Sequence, residues 1–279
     1  MIKALKTELK KNLYLPYFLL GIVLVICFCF MADAVRGNDG RNYSVFEIVL
    51  LSRKLKLTSS TDYAWISMWA KGFGSWLRLI VPVIVSSAYV MNHTEERKVE
   101  HRYFLYSRES RLRFVLSKTL GAAFSAGLIL AAGYVLFGVI LLFFFPQSAS
   151  FSEDSRFFLE YAYGKGSVPV YILKIFLGSF MYGIYASLFT VFLSIFISDR
   201  YVLLSIPVLF QYAVQISINK LFLEHMFSKH ADKILALDMT NILRAFSHKY
   251  WWHEFAGVWI LLLMVVLVYY LKVKKEAGQ

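Results

Sequence analysis

Residues 170–218 read VYILKIFLGSFMYGIYASLFTVFLSIFISDRYVLLSIPVLFQYAVQISI, and this stretch decides the fold. Two apolar runs, 170–198 and 201–218, are parted only by Asp199-Arg200. A helix needs roughly 20 apolar residues to cross the hydrocarbon core of a bilayer. A two-residue polar break leaves no room for a domain, so the pair reads as a membrane hairpin.

Outward from this hairpin, four further runs qualify, at 15–34, 75–91, 120–145 and 255–271. The sequence therefore predicts an all-α integral membrane protein with six transmembrane helices in a single domain over 1–279. The composition agrees: 58% of the 279 residues are hydrophobic, 17% are charged and 18% are aromatic. Mean hydropathy is +0.57. Soluble domains carry about 25% charged residues. A disordered chain, a disulfide-stapled secreted domain and an ordinary cytosolic enzyme are excluded. Cys27 and Cys29 fall within an apolar run and say nothing about redox compartment. The net charge of +12 reads as a topology signal, not as a nucleic-acid surface.

Six spans put both termini on one side. With the N-terminus inside, segments 1–13, 93–118, 199–200 and 272–279 hold 15 Lys and Arg in 49 residues. The outer segments 36–73, 146–168 and 219–254 hold 13 in 97. Basic residues concentrate on the cytoplasmic side of membrane proteins, so both termini are expected there. Lys3, Lys6, Lys10 and Lys11 followed by an apolar run, with Ala32-Asp33-Ala34 beyond, resemble a signal peptide. The run is longer than a signal core, and an uncleaved first span is expected.

In residues 1–13, MIKALKTELKKNL, Ile2, Leu5, Leu9 and Leu13 recur at helical spacing while lysines take the other face. That pattern predicts an amphipathic helix lying on the inner leaflet with its lysines near anionic headgroups. The alternative is a first span that starts early with a solvated basic end.

Residues 93–118, HTEERKVEHRYFLYSRESRLRFVLSK, form the substantial inner loop. Glu95, Glu96, Glu100 and Glu109 alternate with Arg97, Lys98, Arg102, Arg108, Arg111 and Arg113, and Val99, Tyr103, Phe104 and Tyr106 are interleaved. A topology signal needs the charges alone. A short helix docking into a partner's groove needs the apolar residues as well. A solvated linker is the plainer reading.

The order of residues here resembles type-2 ABC exporter permeases. Their loop between spans two and three runs from a Glu-containing start through Gly-Thr, a Leu-Leu-type pair and Pro-x-Ser-Arg to a Lys seven residues on. This chain has Glu95-Glu96, Phe104-Leu105, Ser110-Arg111 and Lys118, with Val99-Glu100 for the Gly-Thr and Arg108 for the proline. The resemblance implies an ATPase-coupling helix whose residues include Glu95, Glu96, Val99, Arg102, Tyr103, Phe104, Tyr106, Ser110 and Arg111. It also implies a partner ABC ATPase that binds ATP and Mg, with no cofactor in this chain. A second permease, either another copy or a close relative, would complete the assembly in a bacterial cell membrane. The cargo expected from the resemblance is an amphipathic peptide, such as a bacteriocin, toxin or antimicrobial peptide, or another hydrophobic compound.

Within the spans the charged residues are Arg78 and Lys174, each near an outer end. They either snorkel to headgroups or face an outward cavity. Gln211 and Gln215 lie one helical turn apart beyond Pro207, suited to interhelical hydrogen bonding or to lining a pathway. These four are the candidate translocation residues. Small residues at Ala123, Gly127 and Ala131, and at Ser179, Gly183 and Ser187, read as packing stripes.

Segment 219–254 contains His225, His230, His248 and His253 with Glu224, Asp232 and Glu254, but in no recognised zinc spacing. Trp251-Trp252 suit an outer aromatic belt. Gly164-Lys165-Gly166 lacks the rest of a phosphate loop, and no Gly-x-Ser-x-Gly occurs. The chain is therefore expected not to be an enzyme itself. Competing readings are an ATP-independent channel or carrier, and a membrane-embedded lipid-modifying enzyme.

Overall fold

The computed structural model describes residues 2–14, 16–36, 41–51, 65–73, 75–98, 110–145, 168–225 and 251–276. In chain order these form α1 (Ile2–Tyr14), α2 (Pro16–Phe30), β1 (Asp33–Arg36), β2 (Asn42–Ser44), α3 (Val45–Leu51) and α4 (Trp65–Lys71). The long helices follow: α5 (Ser75–Lys98), α6 (Arg111–Leu141), α7 (Val168–Ser194), α8 (Arg200–His225) and α9 (Trp251–Glu276).

Four helical stretches are long and apolar enough to cross a membrane: Arg111–Leu141, Pro169–Ser194, Arg200–Ile218 and Phe255–Lys275. A fifth arises if Ile2–Leu13 and Pro16–Phe30, bent by 61° at their junction, count as one broken span. Each of the six expected runs coincides with a helix, but two fall short of a full span. At 1.5 Å per residue, the 15 residues of α2 reach only about 22 Å. Its helix stops at Phe30 because the chain turns into the β1–β2 hairpin at Asp33, inside the run expected to extend to residue 34. In α5, Arg78 and the polar tail from His93 to Lys98 shorten the apolar stretch. The fold is thus mostly helical, with little sheet.

The break between α1 and α2 has a local cause. Pro16 opens α2, where its missing N–H costs nothing, and proline disfavours helical geometry at the residue before it. At the other hairpin, Asp199 caps α8: its Oδ1 accepts the N–H of Tyr201 at 2.8 Å and of Val202 at 3.0 Å. α7 ends at Ser194, short of the run expected to reach residue 198, so five residues connect the pair and that cap starts the return helix. Ser44 and Glu47 form a reciprocal capping box at the start of α3, with bonds of 2.9 and 3.2 Å.

α6 and α7 are the centre of the bundle. α1, α2, α4, α5 and α9 pack on α6, and α8 packs on α5 and α7. The α6–α7 contact uses the expected small-residue stripes. A Cβ on Gly183 would stand 2.7 Å from the Ala126 carbonyl oxygen and 2.8 Å from the Gly127 Cα. Those atoms are backbone and cannot rotate aside, so only glycine permits this approach. Gly183→Leu should therefore lower stability by about 2–3 kcal/mol through overpacking. Leu173→Ala, at a side chain 56% exposed on the same helix, should stay within about 0.5 kcal/mol. Thermal unfolding of the two variants in detergent, compared with the parent, measures both.

The end of the bundle carrying α4 holds an unexpected aromatic plug. Trp65, Met68 and Trp69 are buried against α6. The Trp65 indole N–H donates to the Gly138 carbonyl at 2.7 Å, and the Trp69 indole N–H to the Tyr134 carbonyl at 3.0 Å. Tyr134 returns its hydroxyl proton to the Trp69 carbonyl at 2.8 Å. A Cβ on Gly138 would lie 2.3 Å from the Trp69 ring, so this glycine makes the seat. Residues 65–73, which read as part of a plain outer segment, are built into the core.

Candidate functional site

The opposite end of the bundle, where α5 ends and α6 begins, carries the densest polar chemistry among the described residues. Lys118, one turn beyond the first turns of α6, is 5% exposed and pairs with Glu8 at 2.7 Å and also with Glu96. Lys11 pairs with Glu96 at 2.9 Å and Glu8 at 3.2 Å. Two carboxylates and two ammonium groups thus alternate, so the cluster is neutral and each carboxylate touches both cations. Burial would raise the Glu96 carboxyl, but Lys118 and Lys11 outweigh it and hold it below its usual range. Burial would lower Lys11, yet the hydrogen bond it donates to Glu96 and the charges of Glu8 and Glu96 hold it above its usual value.

A hydrogen-bonded row extends the cluster along α1. Asn92 Nδ2 donates to Asn12 Oδ1 at 3.1 Å, and Asn12 Nδ2 donates to Ser125 Oγ at 3.3 Å. The buried edge of α1 is therefore Glu8 and Asn12, whereas Ile2 is 80% exposed. α1 forms where the periodicity placed it. Its polar edge docks on α5 and α6, leaving the Ile2 side outward.

The same end ties in α7 and α9. Tyr89 Oη and Ser194 Oγ share a hydrogen bond of 2.8 Å, and His93 lies 3.3 Å from both Tyr89 Oη and the Ser194 carbonyl. Lys272 Nζ donates to the Ile195 carbonyl at 2.8 Å. Five helices are thus cross-linked by polar contacts at one level.

Of the loop residues singled out in the sequence, Glu96 is engaged in the cluster and Glu95 is exposed nearby. Ser110 and Arg111 open α6 at the surface. Val99, Arg102, Tyr103, Phe104 and Tyr106 lie outside the described residues, as do residues 226–250. The structure thus presents both anchors of the 99–109 segment, and the Glu96–Lys118 pair clasps them.

The four residues expected within the spans separate into two groups. Pro82 has no N–H, so the carbonyl of Arg78, four residues earlier in α5, loses its helical donor. Gln211 Nε2 on α8 supplies one at 2.8 Å, and the Tyr182 hydroxyl on α7 another at 3.3 Å. Gln211 Nε2 also bonds the Tyr182 hydroxyl. Gln211 therefore makes the interhelical bond that the sequence allowed, and a backbone group in apolar surroundings is satisfied. The Arg78 guanidinium sits 5.8 Å from the Phe73 ring, and Lys174 Nζ 5.9 Å from the Tyr171 ring. Gln215 is half-buried one turn along α8.

Sequence reasoning missed Glu8 and Lys11 as site residues. The signal was present: one acid among lysines, three residues before Lys11, is out of place on a purely basic interfacial helix.

The fold and this polar end define a helical protein with several helices fit to cross a membrane. Comparison with protein-family models and with curated proteins returns no match to the chain.

Proposed function

We propose that the chain is the membrane-spanning permease subunit of an ATP-driven ABC exporter. Two permeases act side by side in a bacterial cell membrane, with both termini cytoplasmic. A separate ATPase binds ATP and Mg beneath each 93–118 segment. The cargo is an amphipathic peptide or another hydrophobic compound.

One observation carries this reading. The two anchors of the 99–109 segment are clasped by Glu96 and Lys118, and the same cluster holds α1. A push on that segment cannot be absorbed by one helix end, because α1, α5 and α6 are joined through buried charges. It would move with α7 and α9 as well, through the Tyr89–Ser194 and Lys272–Ile195 bonds. Helices joined in this way form a stiff lever, which suits mechanical coupling to a partner. The outward side of α8, with Tyr201, Leu209, Tyr212 and Ile216 exposed, leaves an apolar surface for lipid or a second permease.

The test is native mass spectrometry of the full chain, purified after co-expression with the ABC ATPase encoded nearest to it. Two permeases with two ATPases are expected. A single permease with two ATPases, or a chain that retains none, overturns the proposal.

A further inference from the structure

A cavity of about 560 Å³ lies between α5, α7, α8 and α9. α8 packs on α5 and α7, and α9 on α7 and α6, but α8 and α9 make no extensive contact with each other. The cavity occupies the gap that this arrangement leaves, within helices suited to a bilayer. Its volume falls in the range of about 300–1,000 Å³ typical of small-molecule sites. No charged side chain lines it, and Phe189, Phe192, Phe210, Met264 and Val265 give it an apolar wall.

Gln211 and Tyr185 bring the neutral polar groups to that wall. Gln211 lines the cavity, and its Nε2 is committed to the Arg78 carbonyl and the Tyr182 hydroxyl. That use fixes the carboxamide in place. Its oxygen, Oε1, accepts no hydrogen bond among the described residues. An acceptor in apolar surroundings favours an occupant that brings a donor. An ion is disfavoured, because nothing in the wall would compensate its lost hydration.

We propose that this cavity binds a neutral amphiphile. Its hydroxyl or amide N–H donates to Gln211 Oε1, and its hydrocarbon lies along Phe189, Phe210 and Met264. The inference narrows the cargo or lipid ligand of the exporter. It rests on that reading only for transport, since binding is a property of the chain alone.

The experiment uses the full chain in phosphatidylcholine nanodiscs, without ATPase, and a diazirine-bearing hexadecanol as photolabel. Peptides containing Phe189, Phe210 or Met264 are expected to carry the label. Unlabelled hexadecanol should compete better than hexadecane by about three- to tenfold, the worth of one neutral hydrogen bond. Dioleoylglycerol, added in a separate arm, distinguishes a bilayer lipid from a single-chain compound as the preferred occupant. Gln211→Leu should abolish the preference for the alcohol over the alkane. Because Gln211 also holds the Arg78 carbonyl, Met264→Trp and Ala186→Phe provide variants that leave that bond alone. Each should fill the cavity and cut labelling at least fivefold. Equal competition by hexadecanol and hexadecane in the parent protein, or undiminished labelling in both filled variants, overturns the proposal. Neither result bears on whether an ATPase binds.

Discussion

Replacing Lys118 with methionine is expected to cost about 3–5 kcal/mol of stability, because Glu8 and Glu96 would then share one remaining cation. Lys118 is the most buried member of the cluster and the one that bridges both carboxylates from α6. Methionine fills the same volume, so the loss reads charge and not packing. Adding Glu96→Gln to Lys118→Met leaves only the Glu8–Lys11 pair, which is again neutral, and should restore a large part of the loss. Thermal unfolding of the single and double variants in detergent measures both effects. A double variant no better than Lys118→Met would show that the charges act independently.

The pH dependence follows from the same contacts. Glu96 is held below its usual carboxylate range, so its contribution is present at neutral pH and is lost as pH falls through the lowered folded value. Lys11 is held above its usual range, so its contribution is complete below that range and is lost as pH rises through the raised folded value. The cluster is therefore intact between these limits, and stability of the parent protein should decline on the acid side more steeply than that of the double variant.

The hairpin of α7 and α8 was legible because apolar length and a two-residue polar break are local properties. The stripes through Gly127 and Gly183 were legible for the same reason, since helical spacing puts them on one face. Gln211 and Pro82 could each be seen separately. Their connection could not, because the carbonyl freed by Pro82 belongs to Arg78, and its donor lies 133 residues away. The four-charge cluster was hidden by the same distance: Glu8 and Lys118 are far apart in sequence, and nothing local to either segment pairs them. The seat of the α4 tryptophans had no local trace, since an indole suits a headgroup layer as well as a core. Only the backbone acceptors at Gly138 and Tyr134 assign them to the interior. The shortness of α2 arose from competition: Asp33–Arg36 pairs with Asn42–Ser44, and a hairpin of three- and four-residue strands leaves little trace in the pattern.

The second large effect concerns the segment that the charge cluster clasps. If 93–118 is a coupling helix, Tyr103 and Phe104 are the anchors that fill a groove on the ATPase. Truncating one such aromatic often costs about 2 kcal/mol or more, and two together should abolish a stable complex. Arg102 would act at the rim, where a charge alters encounter more than affinity, so Arg102→Ala should be mild. Glu96 is already engaged by Lys118 and Lys11, so its removal should appear as lost stability of the chain before any loss of partner.

The decisive measurement is therefore retention of the ATPase by the Tyr103→Ala, Phe104→Ala double variant, purified from membranes beside the parent chain and assayed for ATP-driven transport. The account predicts that the variant inserts and unfolds like the parent but loses the ATPase, or keeps it with hydrolysis uncoupled from transport. A double variant that retains its ATPase and transports at the parental rate would contradict the coupling role of this segment, and with it the exporter reading.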